Sequence, residues 1–89
     1  MGESAKKSKD YLVTFHTTSD AMRGEKICQQ DELKANLQPV PRDISSSCGL
    51  ALKADDVVLC DLKETFKNSS IDVEGLYLCR GDEFVDLEL

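Results

Sequence analysis

The fold is decided by the run Tyr11-Leu12-Val13-Thr14-Phe15, which is apolar, aromatic or β-branched at every position. Such a run predicts a central β-strand that is covered on at least one face. The strand ends in the polar stretch His16-Thr17-Thr18-Ser19-Asp20. Thr18 or Ser19 can cap a helix there, and Asp20 suits its first turn. The packing face of this helix is predicted from small and apolar residues at helical spacing, namely Ala21, Gly24, Ile27 and Cys28.

Two strands are predicted on either side of a loop rich in proline and serine. Apolar and polar residues alternate from Leu33 to Leu37, as in a half-buried strand, and Pro39 is tolerated if that strand lies at a sheet edge. After the loop, Leu50 to Lys53 predict a third strand. The chain therefore has two strands in succession between its helices.

A second helix and a fourth strand follow. Asp55 or Asp56 is expected to cap the helix, whose apolar stripe comprises Val58, Leu59, Leu62 and Phe66. The fourth strand begins at Ile71, and a change in its alternation near Gly75 predicts a β-bulge. A turn at Arg80-Gly81-Asp82 leads to apolar residues that alternate with acidic ones. These residues predict a short additional strand at Val85, Leu87 and Leu89.

The order strand, helix, strand, strand, helix, strand predicts an α+β fold, the ferredoxin-like split βαβ sandwich, with the additional C-terminal strand beside it. A length of 89 residues allows one domain with a single modest core, which we expect to span residues 11–89. The first ten residues are polar and include Lys6, Lys7 and Lys9. Residues 1–10 are therefore predicted to be a mobile tail.

The composition narrows the function classes. A net charge of -6 argues against a nucleic-acid partner, because phosphate recognition requires clustered Lys and Arg. No apolar run is long enough to cross a membrane or to form the core of a secretion signal, which predicts a cytoplasmic protein. Reduced thiols are expected there, and the four cysteines are spaced too widely for a paired CxxC zinc site. No metal is therefore predicted.

A second stretch carries the candidate chemistry, Pro39-Val40-Pro41-Arg42-Asp43-Ile44-Ser45-Ser46-Ser47-Cys48-Gly49-Leu50-Ala51-Leu52. Cys48 follows three serines, which favour turns, and precedes Gly49, which lets a backbone or ligand approach closely. Buried structural cysteines usually lie among apolar residues instead. We therefore predict that Cys48 is a working thiol, the alternative being an inert, half-buried cysteine in a tight loop.

The other three cysteines have structural interpretations. Cys28 lies on the packing face of the first helix and is predicted to be in the core. Cys60 lies beside the apolar stripe of the second helix and is expected to be partly exposed, and Cys79 ends a strand. A second cysteine that resolves a disulfide with Cys48 is neither required nor excluded by these positions.

The predicted topology brings further polar residues to the edge that carries Cys48. The first two strands run in the same direction, so the loop after the second lies where the first strand ends. A helix start, an arginine and a protonated histidine would each stabilise a thiolate there, and serine hydroxyls and amides can form an anion-binding concavity. We therefore expect His16 and Arg42 to assist Cys48. The surrounding anion-binding loop is predicted to comprise Thr17, Thr18, Ser19, Ser45, Ser46, Ser47 and Gly49.

Three segments resemble a known family. The block from Leu12 to Met22, the block from Pro39 to Leu52 and the strand Glu74-Gly75-Leu76-Tyr77 are similar to the small bacterial family described as putative Se/S carrier protein-like. The resemblance covers residues 11 to 79. The block from proline to cysteine is its specific part.

The resemblance implies a sulfur or selenium carrier, with the family cysteine at Cys48 and the accompanying arginine at Arg42. Cys48 would hold a persulfide or perselenide with no other cofactor. The partners would be separate donor and acceptor proteins. Such a protein is a carrier or accessory protein rather than a stand-alone enzyme.

Two alternatives remain. A ferredoxin-like domain could bind a small anion or a protein without covalent chemistry, and a thiol enzyme could use His16 as a general base toward Cys48. The sequence leaves open whether sulfur or selenium is carried. It also leaves open whether the edge strand pairs two chains into a homodimer.

Overall fold

A five-stranded antiparallel sheet with two helices forms the fold in the computed structural model, which describes residues 8–87. The strand order is β2-β3-β1-β4-β5. The predicted α+β class and the additional C-terminal strand are confirmed, and that strand extends the sheet beyond β4. The elements are β1 (Lys9–Phe15), α1 (Thr18–Gln30), β2 (Lys34–Pro39), β3 (Leu50–Val57), α2 (Leu59–Ser69), β4 (Val73–Arg80) and β5 (Glu83–Asp86).

The central position of β1 is confirmed. It pairs antiparallel with β3 on one side and with β4 on the other. Leu12, Val13 and Phe15 have no exposed surface. Because alternate side chains of a strand point to opposite faces, a strand that is apolar at successive positions must be covered on both faces.

Two apolar clusters cover the two faces of β1. The larger cluster lies between the sheet and the helices and includes Val13, Phe15, Ala21, Cys28, Leu62 and Phe66. The smaller cluster contains no helical residue and is built around Leu12, Ala51 and Ile44. Ile44 belongs to the connection between β2 and β3, residues 40–49, which we name the Cys48 loop. A buried Ile44 therefore fixes the middle of the Cys48 loop against the sheet face opposite the helices.

The N-cap of the first helix lies one residue before the first of the two predicted caps. Thr17 has an extended backbone, and its hydroxyl oxygen accepts a hydrogen bond from the Asp20 N–H at 3.1 Å. Thr17 is therefore the N-cap, whereas Thr18 and Ser19 already have helical geometry. The helix ends at Gln30, and Asp31 is its C-cap.

The predicted cap of the second helix is wrong. Asp55 and Asp56 belong to β3, and α2 begins at Leu59 after Val58, which forms no side-chain cap. Asp56 has a positive φ of 57° at an irregularity in the pairing with β1, and its N–H donates to Asp10 Oδ1 at 2.9 Å. The neighbouring strand thus supplies the acceptor for this N–H, and the chain stays in the sheet.

The predicted bulge and edge strand are confirmed. The register between β1 and β4 shifts between Thr14 and Phe15, whose partners are Gly75 and Val73. Glu74 is consequently the extra residue of β4 at this point. Pro39 ends β2, which lies at the sheet edge.

The last two residues of the predicted tail belong to the sheet. Lys9 and Asp10 lie in β1, where they pair with Val57 and Cys79. The rest of the predicted tail, residues 1–7, lies outside the described residues, as does Leu89 of the predicted last strand. Within residues 8–87, neither helix has the length and apolar character needed to cross a membrane.

Close packing of α1 on the sheet requires a glycine at position 24. A Cβ at Gly24 would lie 2.9 Å from Phe15 Cζ and 3.2 Å from a ring carbon of Phe66. The two rings already contact each other edge to face, with centroids 5.8 Å apart. Because the Phe15 side chain is fully buried, its ring has little freedom to move away.

We expect Gly24→Ala to destabilise the protein. Overpacking costs about 1–3 kcal/mol, whereas the gain in helix propensity is only about 1 kcal/mol. The free energy of unfolding, measured by urea denaturation, should fall by about 1 kcal/mol, which is the middle of the overpacking range less the gain in helix propensity. Lys26→Ala, an exposed change in the same helix, should stay within about 0.5 kcal/mol of the wild type. Equal stability of Gly24→Ala and the wild type would contradict the close packing.

Candidate functional site

The Cys48 loop is attached to the end of β1 by Ser46. The Ser46 hydroxyl donates to the backbone oxygen of Phe15 at 3.4 Å. The loop also closes on itself, because the Val40 N–H donates to the Gly49 oxygen at 3.1 Å. The structure thus places Ser46 next to the carboxyl end of the first strand, as the predicted topology requires.

Cys48 is half-buried and has two polar neighbours. Its thiol donates to the Leu50 oxygen at 3.4 Å, and its Sγ lies 4.0 Å from the Ser46 hydroxyl oxygen. The side chain also packs against the cluster between the sheet and the helices. The thiol is therefore held in place and remains partly accessible to a reagent or partner.

Gly49 makes the turn into β3 after Cys48. Its φ is +76°, a left-handed conformation that side chains of L-residues rarely adopt. A Cβ at this position would have no atom within 4 Å, so the space beside the backbone is open. Gly49 is exposed and leaves room for an approaching molecule next to Cys48.

Glu74 joins two parts of the predicted site. Its Oε1 accepts from the Ser47 N–H at 3.1 Å, and its Oε2 accepts from the Ser47 hydroxyl at 2.7 Å. Oε2 also lies 3.8 Å from His16 Nδ1. His16 and Ser47, which come from different segments of the chain, therefore meet on one carboxylate of β4.

These contacts keep Glu74 ionised. The hydrogen bonds from the Ser47 hydroxyl and N–H lower the pKa of Glu74 most, and Ser46 and the charge of His16 lower it further, against a smaller opposing effect of burial. A carboxylate of the protein itself thus occupies both donors of Ser47. In this arrangement those donors are not free for an external anion.

The other predicted residues have fewer contacts. Arg42 and Ser45 are exposed, and within residues 8–87 no side-chain hydrogen bond or ion pair involves them. Thr17 serves as the cap of α1, with Thr18 and Ser19 exposed in the first turn. His16 contacts Glu74, and no hydrogen bond or ion pair joins it to Cys48 in the described part of the chain.

Glu74 was not singled out by the sequence as a site residue. One available signal was its position at the start of the strand that pairs antiparallel with β1. A residue there must lie beside the end of β1, and hence beside His16. The other signal is its place in the segment Glu74-Gly75-Leu76-Tyr77, one of the three segments that resemble the family.

The remaining cysteines differ in exposure. Cys28 is fully buried, and burial raises its pKa to about 11, with a smaller contribution from Asp31. Burial also raises the pKa of Cys79, and the charge of Lys53 opposes that shift. Cys60 is exposed. Among residues 8–87, no three His, Cys, Asp or Glu side chains gather as a set of metal ligands.

A family model matches most of the chain. The family described as "Putative Se/S carrier protein-like" matches residues 10–78. The matched segment contains the Cys48 loop, His16 and Glu74. No curated protein and no solved structure matches the chain.

We expect Cys28 to resist alkylation in the folded protein. Its raised pKa leaves little thiolate at neutral pH, and the side chain has no exposed surface. Iodoacetamide should modify Cys28 at least about tenfold more slowly than Cys60, as followed by peptide mass spectrometry. In urea-unfolded protein the two rates should converge. Equal rates in the folded protein would contradict the core position of Cys28.

The Glu74 contacts should also make stability depend on pH. Because the pKa of Glu74 is lowered in the folded state, its contribution is present above the pKa of an unfolded glutamate and is lost as the pH falls through the folded value. The Tm of the wild type should therefore exceed that of Glu74→Gln near neutral pH. The difference should shrink as the protein is acidified to about pH 3. A difference that does not change with pH would show that the charge has no role.

Proposed function

The chain belongs to the Se/S carrier protein-like family, and we propose that it is a carrier that holds sulfur or selenium on Cys48 and passes it to an acceptor protein. The observation that carries this proposal is the setting of Cys48. It is a partly accessible thiol in a loop attached to the sheet, with open space at Gly49. The family supplies the nature of the cargo, and the geometry supports the choice of thiol.

The proposed loading step is a transfer between thiols. The Cys48 sulfur attacks the terminal sulfur of a donor persulfide, so that a new S–S bond forms on Cys48 and the S–S bond of the donor breaks. The donor leaves as a thiolate and takes up the proton that Cys48 loses. The step needs no added oxidant or reductant. Selenium would be carried in the same way as a perselenide.

Several residues at the edge would assist this step. The Ser46 hydroxyl lies 4.0 Å from the Cys48 sulfur and would turn its proton from the Phe15 oxygen to the charged terminal atom of the cargo. Arg42, and His16 when it is protonated, would contribute positive charge from exposed positions. The start of α1, Thr17 to Ser19, would add backbone donors, and Ser45, Ser47 and Gly49 would shape the loop.

We also propose a finer fold class for the chain and a cytoplasmic location for its partners. The order β2-β3-β1-β4 and the two helices support a ferredoxin-like split βαβ sandwich, to which β5 is added. The donor and acceptor would be cytoplasmic proteins that dock at the edge carrying Cys48. Neither a nucleic acid nor a membrane is expected among the partners.

The contacts of Glu74 weigh against the two alternatives, a domain that binds a small anion and a thiol enzyme with His16 as its base. The carboxylate of Glu74 occupies the donors of Ser47, and its negative charge disfavours non-covalent binding of a small anion at the Cys48 loop. A thiol enzyme would need a base on Cys48, whereas His16 contacts Glu74. A carrier holds its cargo by a covalent bond, so it needs neither a free anion site at the loop nor a base on the thiol.

We expect Cys48 to gain the mass of one sulfur atom when the protein is incubated with a cysteine desulfurase and cysteine. With a selenium source, the gain should correspond to selenium. Cys48→Ser should show no adduct, and Cys60→Ser, which removes an exposed thiol, should load like the wild type. The readout is intact-protein and peptide mass spectrometry without reductant. An unmodified wild type, or the same adduct on Cys48→Ser, would contradict the proposal.

A further inference from the structure

Glu74 attaches the Cys48 loop to the sheet at the residue next to the thiol. Its two hydrogen bonds hold both the backbone and the side chain of Ser47, and they come from β4, which pairs with β1 at the residues on either side of Glu74. The bond to the hydroxyl, at 2.7 Å, is shorter than the 3.4 Å bond by which Ser46 attaches the loop to Phe15. Hydrogen bonds to a charged group are also the stronger kind.

The sheet fixes the position of Glu74 itself. Glu74 is the extra residue at the bulge in β4, between Val73 and Gly75, which pair with Phe15 and Thr14. A bulge redirects a side chain from the ordinary alternation of a strand. The bulge consequently directs the carboxylate of Glu74 toward Ser47 in the Cys48 loop and toward His16.

We propose that Glu74 is the positioning residue for the carrier thiol. Through Ser47 it holds Cys48 in the orientation that a donor protein requires, and it takes no part in bond formation. This inference rests on the proposed carrier function. The chemistry of the Cys48 thiol alone gives no reason to single out Glu74.

Loss of the contact between Glu74 and Ser47 should affect two reactions of Cys48 differently, namely loading from a donor protein and alkylation by a small reagent. Transfer from a protein donor needs the thiol in one orientation, and a misplacement of a reacting group by an ångström slows such a reaction strongly. A small alkylating reagent reaches the thiol from any direction, and a loosened loop exposes a half-buried thiol further. Loading should therefore slow down while alkylation does not.

The chain offers a matched control in Glu25. Its Oε2 accepts from the Leu37 N–H at 3.1 Å and so joins α1 to β2 through the same kind of contact. Leu37 lies in β2, outside the Cys48 loop. Glu25→Ala thus removes a comparable contact between a carboxylate and a backbone N–H without touching the Cys48 loop.

The experiment compares the wild type, Glu74→Ala, Ser47→Ala, the double variant and Glu25→Ala. Each is loaded from a persulfidated cysteine desulfurase at saturating concentration, and Cys48 is alkylated separately with iodoacetamide. We expect Glu74→Ala to load about tenfold more slowly and to be alkylated at least as fast as the wild type. The double variant should load no more slowly than Glu74→Ala, because both changes remove one shared contact. Glu25→Ala should match the wild type in both reactions.

Hydrogen exchange of the Ser47 amide gives a second measurement. The amide should exchange faster in Glu74→Ala than in the wild type and should be unchanged in Glu25→Ala. Glu74→Gln keeps the shape of the side chain and supports the same comparison if the alanine variant does not fold. It offers one acceptor oxygen in place of two, so we expect slowed loading of intermediate size.

The outcomes separate the two proposals. A wild type that forms no adduct overturns the carrier function and this inference with it. A wild type that loads, together with a Glu74→Ala variant that loads within twofold of it, overturns the inference alone. Loading and alkylation that fall together, and to the same extent in Glu25→Ala, also overturn it, because a general loss of stability would then explain the result.

Discussion

The antiparallel pairing of β1 with both β3 and β4 is the constraint on which the rest of the structure depends. Each neighbour of an antiparallel strand begins where that strand ends. The start of β3 therefore lies beside the end of β1, with Thr14 opposite Ala51, and the start of β4 lies there as well, with Phe15 opposite Val73. The Cys48 loop and Glu74 meet at this end because one strand is shared by two ladders.

The site has an unusual electrostatic balance for a proposed thiol chemistry. Its best-fixed charge is the carboxylate of Glu74, which accepts two hydrogen bonds from Ser47 and faces His16. Arg42 belongs to the same loop, is exposed and forms no side-chain hydrogen bond or ion pair within residues 8–87. The carboxylate thus gives order to the loop, and the arginine stays available to a partner or to the cargo. Such a division suits a thiol that must stay in place between loading and transfer.

The sequence predicted the features that depend on neighbouring residues, and it missed those that depend on contacts between distant segments. Tyr11 to Phe15 predicted the central strand, because an apolar run must be buried wherever it lies. Gly49 and the serines predicted an irregular loop, because their backbone preferences are local. Asp55 and Asp56 led to a wrong helix cap. Asp10, which is 46 positions away from Asp56 in the chain, accepts the Asp56 N–H and keeps it in the sheet.

The sequence by itself determined the α+β class and the order of the elements, and it singled out Cys48 as the thiol to test. Each depends on short-range patterns of apolar, turn-forming and helix-capping residues. Only the tertiary structure decided that Glu74 holds Ser47 and faces His16, and that Ile44 anchors the Cys48 loop. These contacts join segments that are far apart in the chain. They depend on strand register and on a one-residue bulge, which a local pattern does not specify in three dimensions.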